Sequence, residues 1–187
     1  MTNVKKFVKS YRFLQVLTGF LYILMAILAM RYTEENIVEA VQLIGVFSLI
    51  KGFFEIMNRD KIAQRTHHKQ TSAIVLGVVD LVVGLMLVID ISLDLSSLSM
   101  LFGIWFISDS VISFFMLDLA KKIAVPYYYV SLLVDLLGGL IGLILLIANE
   151  TTIISIPALI SYYFIMFGFI KLIGGVINKH NLNTLNE

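Results

Sequence analysis

The sequence predicts an all-α membrane protein: a polytopic transmembrane bundle of six helices built from three repeated helical hairpins. Three observations predict it. The chain is 59% hydrophobic and only 14% charged, with a mean hydropathy of +0.92, far outside the range of soluble globular domains. Six apolar stretches, at about residues 13–30, 37–57, 72–89, 98–117, 127–148 and 153–177, each approach the ~20 residues that a helix needs to cross a bilayer. A pattern of apolar and small residues also returns three times at a step of 58: Gly19, Gly77 and Asp135 are spaced by it, and so are Gly52, Ser110 and Gly168.

The first stretch follows Lys5, Lys6, Lys9 and Arg12. It exceeds the ~7–15-residue apolar core of a signal peptide and has no small-residue cleavage site, so a retained helix is expected. Residues 4–12 fit either a segment lying along the membrane surface or an extension of that helix. Asn36 followed by Glu39 reads as a capping box opening the second helix. Pro126 falls where a first-turn proline is tolerated at the fifth. Pro157 lies about one turn into the sixth stretch, where it belongs to the first turn or bends the outer end. Tyr11 and Tyr127 to Tyr129 fit an interfacial aromatic belt. Tyr162, Tyr163, Phe164 and Phe167 are read as core packing rather than as a ligand cage.

Charge placement orients the bundle. Of the fourteen Lys and Arg residues, eleven lie on the side holding both termini, Arg31 lies on the other, and Lys51 and Lys171 fall within helices. By the positive-inside rule both termini face the cytoplasm, as expected for a multi-pass protein of the bacterial inner membrane. The short loops leave no room for a soluble catalytic domain, so a single integral membrane domain over residues 1–187 is expected, with repeats at about 13–57, 72–117 and 127–177. Anionic lipid and topogenesis account for the basic residues without nucleic acid. The expected partners are the lipid bilayer and a second copy or another membrane protein.

The repeat places small residues on helix faces. Positions i, i+3 and i+7 share a face. On the odd helices they hold Gly19/Tyr22/Ala26, Gly77/Asp80/Gly84 and Asp135/Gly138/Gly142. Gly45/Gly52/Glu55, Gly103/Ser110/Ser113 and Ser161/Gly168/Lys171 form the matching stripes on the even helices. Helices in lipid associate through close backbone approach and interhelical hydrogen bonds, so Gly45, Gly52, Gly77, Gly84, Gly103, Gly138, Gly142 and Gly168 are expected at helix contacts. Each repeat crosses twice, so all three have one orientation, and a pseudo-threefold axis along the membrane normal is implied.

Asp80, Asp109 and Asp135 fall near the midplane, with Lys51, Glu55 and Lys171 one to two turns closer to the cytoplasm. An ionised group at the bilayer centre costs about 2.5–3.5 kcal/mol on insertion scales, so these six form a candidate intramembrane polar network. Lys51 and Glu55 are four apart on one face. Glu55, Ser113 and Lys171 are repeat-equivalents, and threefold symmetry would bring Glu55 and Lys171 together near the axis. Four acids face two lysines, which leaves some aspartates to be neutral. Asp80 is the leading candidate for a proton or cation path, because Gly77 and Gly84 flank it and would leave room for water or an ion. The competing reading makes all three aspartates hydrogen-bonded packing groups.

Enzymatic signals are missing. The chain has no Cys, which excludes disulfides and thiolate chemistry. It has no G-x-S-x-G elbow, no H-E-x-x-H motif and no phosphate-cradling glycine loop. His67, His68 and His180 make no i, i+4 ligand pair. No enzyme, cofactor or metal is expected.

With its three two-helix repeats and the glycines Gly45, Gly52, Gly77, Gly84, Gly103, Gly142 and Gly168, the chain resembles the HdeD-like family of small bacterial membrane proteins from about residue 13 to 177. Ala26 and Asp135 depart from the glycine pattern. The resemblance implies a non-enzymatic inner-membrane protein with a role in acid or envelope stress tolerance, and it supplies no functional residues. The alternative is a proton-coupled or cation-conducting transporter or channel that uses the intramembrane carboxylates.

Overall fold

The computed structural model describes residues 2–31, 37–57, 70–89, 94–147 and 156–183. Among them are seven α-helices: α1 (Thr2–Met30), α2 (Ile37–Met57), α3 (Gln70–Ile89), α4 (Leu95–Phe115), α5 (Leu117–Ile123), α6 (Val125–Ile147) and α7 (Ile156–Asn183). Five of the six long helices are long and apolar enough to span a membrane, and α1 contributes the shorter apolar stretch Gln15–Met30. The protein is a helical membrane protein. Residues 4–12 continue α1 rather than forming a separate surface segment. Pro126 and Pro157 both sit in the first turn of their helices, where a missing N–H costs no hydrogen bond. The proposed Asn36/Glu39 capping box and the pair His67 and His68 involve residues outside those described, as does the side chain of Tyr11.

The short inner connection expected after α4 contains the helix α5. Leu117 and Ala120 on α5 are buried with Ala73, Tyr127 and Ile170, so its apolar face is held against the end of the bundle. The cap of α4 lies at the opposite end, where Asp94 Oδ1 accepts from the Ser97 N–H at 3.0 Å. Hydrogen bonds from the Ser97 hydroxyl and from its N–H, which the ionised form accepts best, hold the exposed Asp94 carboxyl below the usual carboxylate range.

The helices pair across repeats more than within them. The most extensive packing joins α2 to α3, α4 to α6, and α7 back to α1. The second long helix of each repeat therefore lies against the first helix of the next repeat, and the last closes onto the first. Such a ring is what a pseudo-threefold axis generates. All three pairs are antiparallel: Gly45 meets Gly84 while Gly52 meets Gly77, Gly103 meets Gly142, and Gly19 meets Gly168. The beginning of α1 and the end of α7 thus lie at one end of the bundle, here termed the terminal face.

Bare backbone makes these crossings. A Cβ on Gly52 would lie 2.6 Å from the Gly77 carbonyl oxygen, one on Gly84 2.8 Å from that of Gly45, and one on Gly142 2.9 Å from that of Gly103. Such close approach replaces the hydrophobic driving force that lipid withholds. The third pair breaks the pattern, since Ser110 and Asp135 stand where Gly19 with Gly168 and Gly77 with Gly52 stand elsewhere. Gly138 compensates: a Cβ there would come within 2.6 Å of both Ser110 Oγ and the Phe167 ring.

Overpacking of this kind costs about 1–3 kcal/mol. Gly84→Ala and Gly142→Ala are each expected to lose that much stability in denaturant titrations of the detergent-solubilised protein. Gly139→Ala, whose Cβ would meet only Ser110 Cβ at 3.9 Å, is expected to stay within about 0.5 kcal/mol of wild type. Equal losses at all three positions would contradict the crossing geometry.

Candidate functional site: a buried ion-pair centre and an axial cavity

Lys51 is held by α2 with only 1% of its surface exposed. Its Nζ lies 2.8 Å from Asp80 Oδ2 on α3 and 3.3 Å from Asp109 Oδ1 on α4. The same ammonium stands 5.0 Å from the centre of the Tyr22 ring, a cation–π distance. The surrounding helices add further donors to these carboxylates. Trp105 Nε1 donates to Asp80 Oδ1 at 2.9 Å. Tyr22 Oη and Tyr163 Oη donate to Asp109 Oδ2 at 2.6 and 2.7 Å. Ser48 Oγ donates to the Asp80 carbonyl oxygen at 2.9 Å.

The repeat explains why these groups converge. Tyr22, Asp80 and Gly138 are equivalent positions, as are Lys51, Asp109 and Phe167, and Phe47, Trp105 and Tyr163. The ring brings equivalent positions around one axis, so chemically different side chains from three repeats meet as partners. Sequence reasoning overlooked Tyr22, Trp105 and Tyr163 as members. Their signal was present in the 58-residue register, which sets Tyr22 opposite Asp80 and Tyr163 opposite Trp105.

The space expected beside Asp80 is not there. Asp80 is 0% exposed, and Gly77 and Gly84 serve the approach of the α2 backbone rather than water or an ion. The direct pair expected between Glu55 and Lys171 is also missing: no ion pair within 4.0 Å joins them, and Glu55 Oε1 lies 3.9 Å from Lys51 on its own helix instead. Glu55 and Lys171 do line one cavity.

That cavity, of about 90 Å³, occupies the half of the bundle toward the terminal face. Its polar wall includes Glu55, Asp109, Ser113, Ser131, Asp135 and Lys171, and Leu117 and Ala120 of α5 form part of its lining. Tyr127 is turned inward as well, donating from Oη to the Ile170 carbonyl at 3.2 Å, so it is not a member of an interfacial belt. Ser113 is a side-chain hydrogen-bond partner of Asp135. Glu55 Oε2 and Asp135 Oδ2 have no hydrogen-bond partner although both residues are buried.

The opposite half is filled. Phe102, Trp105, Phe106, Tyr163 and Phe164 pack with Met25, Leu87, Leu98, Leu145 and Ile160 into one cluster. Phe106 and Tyr163 stack with ring centres 3.6 Å apart, and Phe164 meets Phe106 edge-on at 5.3 Å. The ion-pair centre sits between this aromatic layer and the cavity, with Asp109 touching both. Tyr162 of the predicted aromatic patch instead faces outward.

The family model for a short repeat of unknown function, DUF308, matches residues 17–89 and again 75–146. The two matches begin one repeat step apart. The chain belongs to the DUF308 family, which is the HdeD-like family. Membership accounts for the tandem repeat, and it assigns no activity. No curated protein and no solved structure matches the chain.

Removing one partner of a buried ion pair strands the other charge, at a cost of about 3–5 kcal/mol. Lys51→Met is expected to lose that much in denaturant titrations, because both Asp80 and Asp109 lose their cation. Tyr163→Phe removes one hydrogen bond to a charged acceptor and is expected to lose about 1.5–3 kcal/mol. A Lys51→Met variant less perturbed than Tyr163→Phe would contradict the central placement of the ammonium.

Proposed function

We propose that this DUF308 protein is a non-enzymatic, multi-pass protein of the bacterial inner membrane, and that its cavity carboxyls exchange protons with one side of the membrane, coupling bundle packing to acid or envelope stress. The observation that carries the proposal is the asymmetry of the axis: Glu55 and Asp135 keep unfilled oxygens beside a cavity in the terminal half, whereas aromatic rings fill the other half. Charge count supports it. Glu55, Asp80, Asp109 and Asp135 face Lys51 and Lys171, an excess of two acids. Lys51 is already committed to Asp80 and Asp109. Uncompensated charge in a low-dielectric interior is costly, and a proton is the smallest compensating charge. The basic bias of the terminal face supports the cytoplasm as the side that communicates with the cavity.

The groups facing Glu55 and Asp135 are Lys51, Asp80, Asp109, Lys171 and Tyr127. Proton uptake at the two carboxyls would cancel their repulsion with Asp80 and Asp109 and would loosen their hold on Lys51 and Lys171. The transport reading needs a second opening through the aromatic layer, which is why one-sided exchange is favoured over conduction.

Two measurements on the reconstituted protein test this. Infrared difference spectra are expected to show a protonated-carboxyl band that grows on acidification and is diminished in Glu55→Gln and Asp135→Asn. Vesicles carrying the wild type are expected to dissipate a pH gradient no faster than protein-free vesicles. A carboxyl band unchanged in both variants overturns the assignment of these groups. Flux above the protein-free rate, abolished by Asp135→Asn, overturns one-sided exchange in favour of transport.

A further inference from the structure

We infer that the axial cavity is a binding site for a small monovalent cation, held by the carboxylates of Glu55 and Asp135. The inference rests on the role proposed for these carboxyls and names what replaces the proton when they are ionised. Glu55 is 7% exposed and Asp135 5%; both residues line the cavity, and each has one carboxylate oxygen, Oε2 and Oδ2, that accepts no hydrogen bond. A buried carboxylate oxygen without a partner forfeits its hydration, and nearly all such groups in folded proteins are satisfied by something. The nearest protein cation, Lys51, is engaged by Asp80 and Asp109 and reaches Glu55 only at 3.9 Å. Lys171 makes no ion pair within 4.0 Å of either carboxylate.

The chemistry of the wall selects the ligand class. Carboxylate and hydroxyl oxygens from Glu55, Asp135, Ser113, Ser131 and Thr18 are hard donors, suited to hard cations rather than to soft metals. Among the described residues no three acidic or histidine side chains converge as a metal-ion cluster, whereas a divalent ion such as calcium takes six to eight oxygens, several of them carboxylate. A single charge matches two carboxylates already offset in part by Lys171. The size agrees: about 90 Å³ well exceeds the ~10–15 Å³ that a single water needs, room for an alkali-metal ion with part of its hydration shell. Carboxylates from α2 and α6, which are not a major packing pair of the ring, would be drawn together by such an ion.

The test uses the full chain in detergent micelles at pH 8, comparing sodium chloride and potassium chloride with N-methylglucamine chloride at equal ionic strength. One or both alkali-metal salts are expected to raise the melting temperature by about 2–4 °C over the bulky organic cation. The rise is expected to vanish in Glu55→Gln and in Asp135→Asn, and to persist in Asp94→Asn, which lies outside the cavity. Sodium-23 line broadening with wild-type protein, reduced in whichever cavity variant folds, reads binding without relying on stability. Identical melting temperatures in all three salts together with no broadening would overturn the cation site, as would a rise that survives in both cavity variants. A growing carboxyl infrared band in N-methylglucamine buffer would leave the proton reading standing when the cation site fails. Its absence would sink the proton reading, whatever the salt dependence.

Discussion

The ammonium of Lys51 has one place in this bundle, and the six long helices are arranged around it. It bridges Asp80 on α3 and Asp109 on α4, and Asp109 in turn accepts from Tyr22 on α1 and Tyr163 on α7. The remaining long helix, α6, contributes by omission: Gly138 stands where Tyr22 and Asp80 stand in the other repeats, and a side chain there would strike Phe167 and Tyr163. A lysine this far from water would be prohibitive alone. With two carboxylates and an aromatic face around it, it becomes a constraint that few other helix arrangements can satisfy. The glycine crossings provide close approach, and the ion pairs fix which faces turn inward.

The duplicated hairpin supplies symmetry, and function is expected where symmetry is broken. Threefold arrangement of identical side chains would gather like charges on the axis. Substituting Tyr, Asp and Gly at one position class, and Lys, Asp and Phe at another, turns that repulsion into a network of complementary donors and acceptors. The same logic produces the cavity. Gln15, Ala73 and Ser131 are equivalent, as are Glu55, Ser113 and Lys171, and all six line it. Small or short groups at Ala73, Ser113 and Ser131 leave the space that Glu55 and Lys171 only partly fill. At the other end, the corresponding volume is taken by Trp105, Phe106 and Phe164.

Much of this architecture was legible in the sequence, because hydropathy and the 58-residue step are carried by the chain itself. The span of α2 and the first-turn position of Pro126 needed only local rules, and the glycine stripes foretold the helix contacts. What the pattern could not convey was which faces meet. Gly77 and Gly84 look alike whether they leave space or admit a backbone, and the α2 carbonyls of Gly52 and Gly45 decide the matter. Lys51 has a sequence-local partner in Glu55, but two aspartates on other helices lie closer. The helix α5 was hidden because seven residues between two spans read as a loop, and its burial depends on contacts with Ala73, Tyr127 and Ile170 that no local rule contains.

The central claim is that Lys51 and Asp80 stabilise the bundle as a pair across helices, and a double-mutant cycle measures that coupling. Lys51→Met, Asp80→Leu and the double variant would be unfolded in denaturant from the same detergent. The double variant should lose less stability than the two single losses together, by at least about 1.5 kcal/mol, since Lys51→Met leaves the Asp80 carboxylate buried without its ammonium and the double variant removes that carboxylate. Losses that add to within about 0.5 kcal/mol would mean that the two residues do not act on each other, and the ion-pair centre could not be what organises the fold.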